Sequence, residues 1–281
     1  MRCFLLALAA SIALGCEGER PPPEGVAPKL IAPEADVVRA LGSGAMTPLT
    51  RKLVQAYRGP GGAPRIVVEP SVGSGGGVRA ASEGAVDLGL VARPLKDAEV
   101  GFGLTVVPVA RDLVIVAAHR DVSVDDVSRD LLVELSAGRK AAFSDGSPAV
   151  FLLRDRDESA NDAIERMVPT LRTAREAAYA SRVLRVLYHD DAMGEALAAT
   201  PGAIGLFSLG SVTVASLPVK VLSIDGVRPS AAAVAEGKWT ATRQLAFVVR
   251  PDRLPRVRAF LDFVSSDEGR RIVRESGYLP P

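Results

Sequence analysis

The chain has 281 residues and a formal net charge of +1, from 34 Lys and Arg against 33 Asp and Glu, and 48% of it is hydrophobic. That length suffices for one large domain or two smaller lobes, each with a core. The charge balance excludes long-range steering toward nucleic acid or an acidic membrane surface, and leaves room for a local anion site.

Met1-Arg2-Cys3 is a short basic start, Phe4 to Leu14 is apolar, and Gly15-Cys16 is followed by the polar Glu17-Gly18-Glu19-Arg20. The apolar run is too short to span a bilayer and has the proportions of a signal peptide. A small residue before a cysteine at this distance resembles the lipobox of bacterial lipoproteins, with Ala13 where a larger aliphatic is more usual. The resemblance implies a signal peptide over 1–15, lipidation at Cys16, and a periplasmic or envelope location held to the membrane by lipid alone. Ordinary cleaved secretion is the alternative. With Cys3 removed and Cys16 acylated, no cysteine is left for a disulfide or a cysteine metal site. The proline-rich stretch 16–33 then reads as a stiff tether.

From Leu41 the elements follow in order. Leu41-Gly42-Ser43-Gly44-Ala45-Met46-Thr47-Pro48-Leu49 is glycine punctuation before an amphipathic run, in which Leu49, Leu53 and Tyr57 predict a helix with Pro48 near its first position. Arg65 to Glu69 reads as a strand. Val72-Gly73-Ser74-Gly75-Gly76-Gly77 reads as a second glycine turn before a short helix from Val78 to Gly84. Val86 to Val91 is a buried strand, and Thr105 to Ala118 a strand region broken by Pro108, Arg111 and Asp112. A helical pattern runs from Ser123 to a stop at Gly138. Val150 to Leu153 is a strand, followed by the polar run Arg154 to Asn161 and a helix through Met167. Residues 170–187 read as mostly helical, 192–199 as a helix, 202–206 and 245–249 as strands, and the chain ends in a helix carrying Val257, Phe260, Leu261 and Val264 and a short one around Ile272-Val273. Strands and helices alternating at this spacing predict an α/β fold.

Three strand-to-helix turns are thus rich in small or hydroxyl residues: Ser43-Gly44-Ala45-Met46-Thr47, Ser74-Gly75-Gly76, and Ser159 to Asn161, the last preceded by Arg154. Helix N-termini attract anions through unpaired N–H groups and the helix dipole. Hydroxyls and a guanidinium add the donors that a tetrahedral oxyanion needs. Each helix terminus supplies only about 0.3–2 kcal/mol, so all three must converge for useful affinity. Read singly, Ser74 is a tight turn, Arg154 a surface charge, Arg93 a salt-bridge partner, and His189-Asp190-Asp191 a solvated helix start. No nucleophile elbow follows a strand, so the chain is read as a binder with no cofactor or metal rather than an enzyme.

Gly42 to Leu49, Val72 to Gly77 and Val86-Asp87-Leu88-Gly89, together with Gly202 to Gly210 and Phe260 to Tyr278, resemble in order and spacing the phosphate-binding protein of phosphate ABC transporters, a type II periplasmic binding protein. The resemblance implies a two-lobe α/β fold with a hinge and interlobe cleft. Lobe 1 would be 34–116 plus 244–281, and lobe 2 would be 117–243. It implies capture of phosphate for an ABC permease. By position, Thr47, Ser74 and Arg154 match ligand contacts, and Ser159 and Asn161 lie where the family has a Ser-Gly-Thr helix start. The departures are specific. The family usually has Thr then Phe where this chain has Met46 and Thr47, and its Asp acceptor for the proton of hydrogen phosphate corresponds to Ala92, beside Arg93. Asp157 and Glu158 stand where glycine and serine are usual, and would repel a dianion if they pointed inward. Sulfate, molybdate or tungstate is therefore the alternative ligand, and a sensor or scaffold relative without a ligand the alternative role.

Overall fold

The computed structural model describes residues 37–61 and 63–281. The expected signal peptide, Cys16, the whole tether and residues 34–36 of the expected first lobe lie outside the described residues. Among the described residues no helix is long and apolar enough to cross a membrane.

The elements run β1 (Val37–Gly42), α1 (Thr47–Ala56), β2 (Arg65–Val68), α2 (Gly73–Ser82), β3 (Leu88–Val91), α3 (Asp97–Val100) and β4 (Thr105–His119). They continue as β5 (Asp126–Val127), α4 (Arg129–Ser136), β6 (Val150–Arg154), α5 (Ser159–Met167), α6 (Leu171–Ser181), β7 (Arg185–Leu187) and α7 (Asp190–Ala199). The chain closes with β8 (Ala203–Ser208), α8 (Leu209–Ala215), β9 (Val219–Ile224), α9 (Ala231–Ala235), β10 (Thr242–Val249), α10 (Leu254–Ser265) and α11 (Asp267–Glu275). The α/β fold class is as expected.

β1 lies parallel to both β2 and β3, and β10 runs antiparallel to β3 and β4. β4 carries the sheet onward. Its first part pairs with β10 and its last part with β8 and β9, and β8 pairs in turn with β6, which pairs with β7. One core, including Met46, Leu49, Leu90, Phe247 and Phe260, draws on residues up to Ala110 and from Leu245 onward. Another, including Ile115, Leu132, Phe151, Ile164 and Trp239, spans Leu113 to Ala241. β4 and β10 are the strands that pass between them.

Four expectations need correction. β4 is one continuous strand. Its register with β10 steps from Leu245↔Ala110 to Ala246↔Pro108, so Val109 is an extra, bulged residue and Pro108 sits beside the bulge, where its missing N–H is tolerated. The helix expected from Ser123 starts at Arg129, because Val127 pairs into β5 and the Ser128 hydroxyl caps the helix by accepting from Leu131 N–H. The run to Leu187 ends its helix at Ser181, where Arg182 takes φ 55°, and finishes as β7, parallel to β6.

The Val72–Gly77 cluster is not a turn ahead of a helix; Gly73 opens α2, and the glycines form its first turns. A β-carbon on Gly77 would lie 2.8 Å from Gly42 Cα and 2.9 Å from the carbonyl oxygens of Leu41 and Leu90. Glycine thus lets α2 rest directly on the backbones of β1 and β3, which offsets its poor helix propensity. Asp87, in another of the family-like motifs, ties elements together: its carboxylate accepts from Arg39 N–H at 3.0 Å and lies 3.6 Å from Arg253 and 3.4 Å from Arg256. Gly77→Ala is expected to cost about 1–3 kcal/mol by overpacking this contact, read as a lower urea midpoint at unchanged slope.

Candidate oxyanion site

β6 ends at Arg154, and the chain turns through 155–158 into α5, whose N-cap is Glu158. Arg154 is only 2% exposed, so its charge requires partners. Nη1 donates to the His189 carbonyl at 3.1 Å. Nη2 donates to Glu158 at 3.0 Å and stands 3.5 Å from Asp190. On β10, Arg243 is register partner to Asp112 on β4, which brings their side chains to one face of the sheet. Its Nε donates to Asp112 at 3.0 Å, and its Nη1 to Glu158 at 2.6 Å and to Ser159 Oγ at 2.9 Å. Asp112 also accepts from Ser208 Oγ at 2.8 Å. The outcome is a buried alternation of charge: Asp112, Arg243, Glu158, Arg154, Asp190.

Glu158 is at the centre. Its carboxylate accepts from both guanidiniums, from the Ser159 hydroxyl at 3.3 Å and from the Ala160 N–H at 3.4 Å. Burial alone would lift its pKa; Arg243 and Arg154 outweigh that and hold it down at about 2. Asp190 goes the other way. Burial, and then the charge of Glu158, push it up to about 6 against the pull of Arg154 and Arg243. Burial likewise pushes Asp112 up, with Arg243 and Ser208 pulling against it.

The three turns meet this cluster unequally. Gly44 is pressed against Asp190: a β-carbon there would lie 2.4 Å from Asp190 Oδ2. Gly44, Thr47 and Asp190 also line a cavity of about 440 Å³. The Thr47 hydroxyl, however, donates to the Ser43 carbonyl at 3.2 Å, and Ser43 N–H donates to the Leu90 carbonyl at 2.9 Å. Ala45 and Met46 are buried, Met46 within the core. On the other side, Ala92, Arg93, Ser159 and Arg243 line a second cavity, of about 360 Å³. Ser74 Oγ accepts from Ala92 N–H at 3.1 Å, and Gly75 faces Arg93 from α2. Gly76 packs against the Val72 side chain. Arg93 donates from both terminal nitrogens to Glu99, each at 2.7 Å, which is the salt-bridge reading of that residue. Asn161 donates to the Asp155 carbonyl at 2.7 Å, and its buried Oδ1 has no partner among the described residues.

Arg243, Asp112 and Asp190 were not among the residues expected from the sequence. A lone Asp inside the apolar run Val109 to Val116 was the available signal for Asp112, but its partner lies 131 positions away. Asp190 is not the solvated group expected; only 13% of its side chain is exposed. Asp157 is exposed, whereas Glu158 points inward.

A family model described as a PBP superfamily domain matches residues 27–268. The chain belongs to the PBP superfamily. It is 26% identical over 167 residues to the phosphate-binding protein PstS of Bacillus subtilis (strain 168), a match covering 58% of this chain and 53% of that protein. The chain therefore spans about half the length of this curated relative. The PBP superfamily fold is shared with a putative phosphate ABC transporter substrate-binding protein with bound phosphate from Clostridium perfringens, at TM-score 0.74 and 21% identity, covering 87% of this chain and 99% of that one. An ABC-type phosphate transport receptor from Vibrio cholerae shares it at TM-score 0.62 and 18% identity, covering 87% and 100%. The expected two-lobe α/β architecture is thus that of the PBP superfamily.

Glu158 and Asp190 give opposite pH dependences. The unfolded value of Asp190 is near 3.8 and the folded value near 6, so the folded chain holds this proton more tightly and its contribution to stability is lost as pH rises through about 6. The contribution of Glu158 is complete above about 4.5 and is lost as pH falls toward about 2. Asp190→Asn is therefore expected to stabilise the protein at pH 7 by about 1–3 kcal/mol and to bring no gain at pH 4, measured by thermal melts across that interval.

Proposed function

We propose that the protein is the substrate-binding component of an ABC transporter, capturing phosphate between its two lobes and delivering it to a membrane permease without breaking a bond. The observation that carries this reading is the convergence of two buried guanidiniums, Arg154 and Arg243, with the Ser159 hydroxyl and the start of α5 on one point, where they already hold an oxyanion in the form of a carboxylate. The names of the relatives point the same way. The lobes are taken as 34–116 plus 244–281 and 117–243. The division is supported by the core clusters: one ends at Ala110 and resumes at Leu245, another fills the interval, and a third, including Val78, Val91 and Val248, lies within the first span. β4 and β10 then form the hinge, and an anion that bridges the lobes only when they are closed shifts the population toward closure.

Ala92 offers no side-chain acceptor for a protonated ligand, which favours sulfate or molybdate. Asp190, beside Gly44 on the opposite side, supplies a carboxylate that can fill that role, and favours hydrogen phosphate. Calorimetric titration of residues 34–281 with phosphate, sulfate and molybdate decides between them. Arg154→Ala is expected to weaken the preferred ligand at least about tenfold, or about 1.4 kcal/mol; unaltered affinity in that variant, or no binding of any of the three anions by the native protein, refutes the assignment.

The same reading includes lipid attachment at Cys16 in the cell envelope. Cys16→Ser is expected to abolish incorporation of radiolabelled palmitate and release the protein from the membrane fraction of expressing bacteria.

A further inference from the structure

The donors that converge beside α5 are not waiting for an anion. Arg154 donates to one oxygen of Glu158, Arg243 and the Ser159 hydroxyl donate to the other, and Ala160 N–H supplies the contact from the helix end. This is the donor set that an external oxyanion would use, and it is filled from within the same turn of chain. The charges leave no surplus. Two guanidiniums face the carboxyl groups of Glu158, Asp112 and Asp190. A dianion added to that cluster meets net negative charge in a buried setting, where Coulomb terms are large.

We propose that Glu158 is an internal ligand of the oxyanion site, and that external phosphate binds only by displacing its carboxylate from Arg154 and Arg243. The inference rests on the reading of the chain as an oxyanion receptor. Glu158 can leave without unpacking a core: it is the last residue of the 155–158 turn, Arg156 and Asp157 in that turn are exposed, and 15% of its own side chain is already open. Its departure removes one negative charge and frees donors on both guanidiniums, so an arriving phosphate substitutes for it rather than adding to it. The internal carboxylate thereby sets affinity and selectivity together. The competent fraction of the protein is the fraction with Glu158 displaced, and the apparent dissociation constant is raised by the inverse of that fraction. Ligands unable to engage both arginines at once cannot compete.

The test uses the native protein with Glu158→Ala, which deletes the internal ligand, and Glu158→Gln, which keeps its shape without its charge. Each is titrated calorimetrically with sodium phosphate, and each is melted in sodium acetate against sodium chloride at matched ionic strength. Both variants are expected to bind phosphate at least about tenfold more tightly than the native protein. Acetate, standing in for the deleted carboxylate, is expected to raise the Tm of Glu158→Ala saturably and to leave the native Tm unchanged. Acetate stabilisation without phosphate binding in any form upholds the internal ligand and overturns phosphate as the external one. Phosphate affinity unchanged or weakened in both variants overturns the internal ligand and leaves the receptor reading standing. Glu158→Gln decides the affinity arm if Glu158→Ala does not fold, and a cooperatively melting Glu158→Ala that ignores acetate also overturns the proposal.

Discussion

The pairing of Asp112 with Arg243 governs much else in this molecule. They face each other across β4 and β10, the strands that run from one hydrophobic core to the other, and both are almost wholly buried. Desolvating an isolated carboxylate and guanidinium at such a place would cost more than their mutual attraction returns. Here Ser208 donates to Asp112, and Glu158 and Ser159 accept from Arg243, so the pair is part of a wider network rather than a lone ion pair. Arg243 also has two duties. It neutralises Asp112 with Nε and reaches Glu158 with Nη1, joining the junction of the cores to the helix start where an anion would be held. In the proposed function, movement of the lobes about β4 and β10 would act on the residue that grips the anion.

The helix starts contribute shape more than donors. The Thr47 hydroxyl donates to its own backbone, Ser74 Oγ accepts from Ala92 N–H, and Asn161 donates to the Asp155 carbonyl, so the helix-start donors aimed at the anion position come from the start of α5 alone, from Ser159 and Ala160 N–H. Gly44 and Gly77 act by having no side chain, one letting Asp190 close on the first loop and the other letting α2 lie on the sheet. The charged chemistry is concentrated instead in Arg154, Arg243 and the carboxylates between and beside them. Specificity in such a cluster comes from how the charges are balanced, because in a buried site one uncompensated charge outweighs several neutral hydrogen bonds.

Much of the fold was legible in the amino-acid order. Alternating apolar runs and glycine punctuation identified most strands and helices, and Pro48, Leu49 and Leu53 marked α1 correctly, because periodicity and first-turn proline are local signals. The family motifs pointed to the PBP superfamily for the same reason: short stretches in register carry the backbone geometry of one architecture. Arg154 and Ser159 could be nominated because they flank a strand-to-helix turn only a few residues long.

Tertiary structure alone decided which charges meet. The sequence by itself determined that Asp157 and Glu158 stand at a helix start, but only packing sent Glu158 inward to two arginines and left Asp157 in solvent. It determined that Asp112 interrupts an apolar strand, but Arg243, its partner, is supplied by the pairing of β4 with β10, whose register depends on a bulge at Val109. Asp190 read as a solvated cap until the folded chain placed it between Arg154 and Gly44. Backbone propensity acts over a few residues, whereas a buried charge is satisfied by whatever the fold brings within about 3 Å, the reach of a hydrogen bond. That is why the elements could be read along the chain and the site could not.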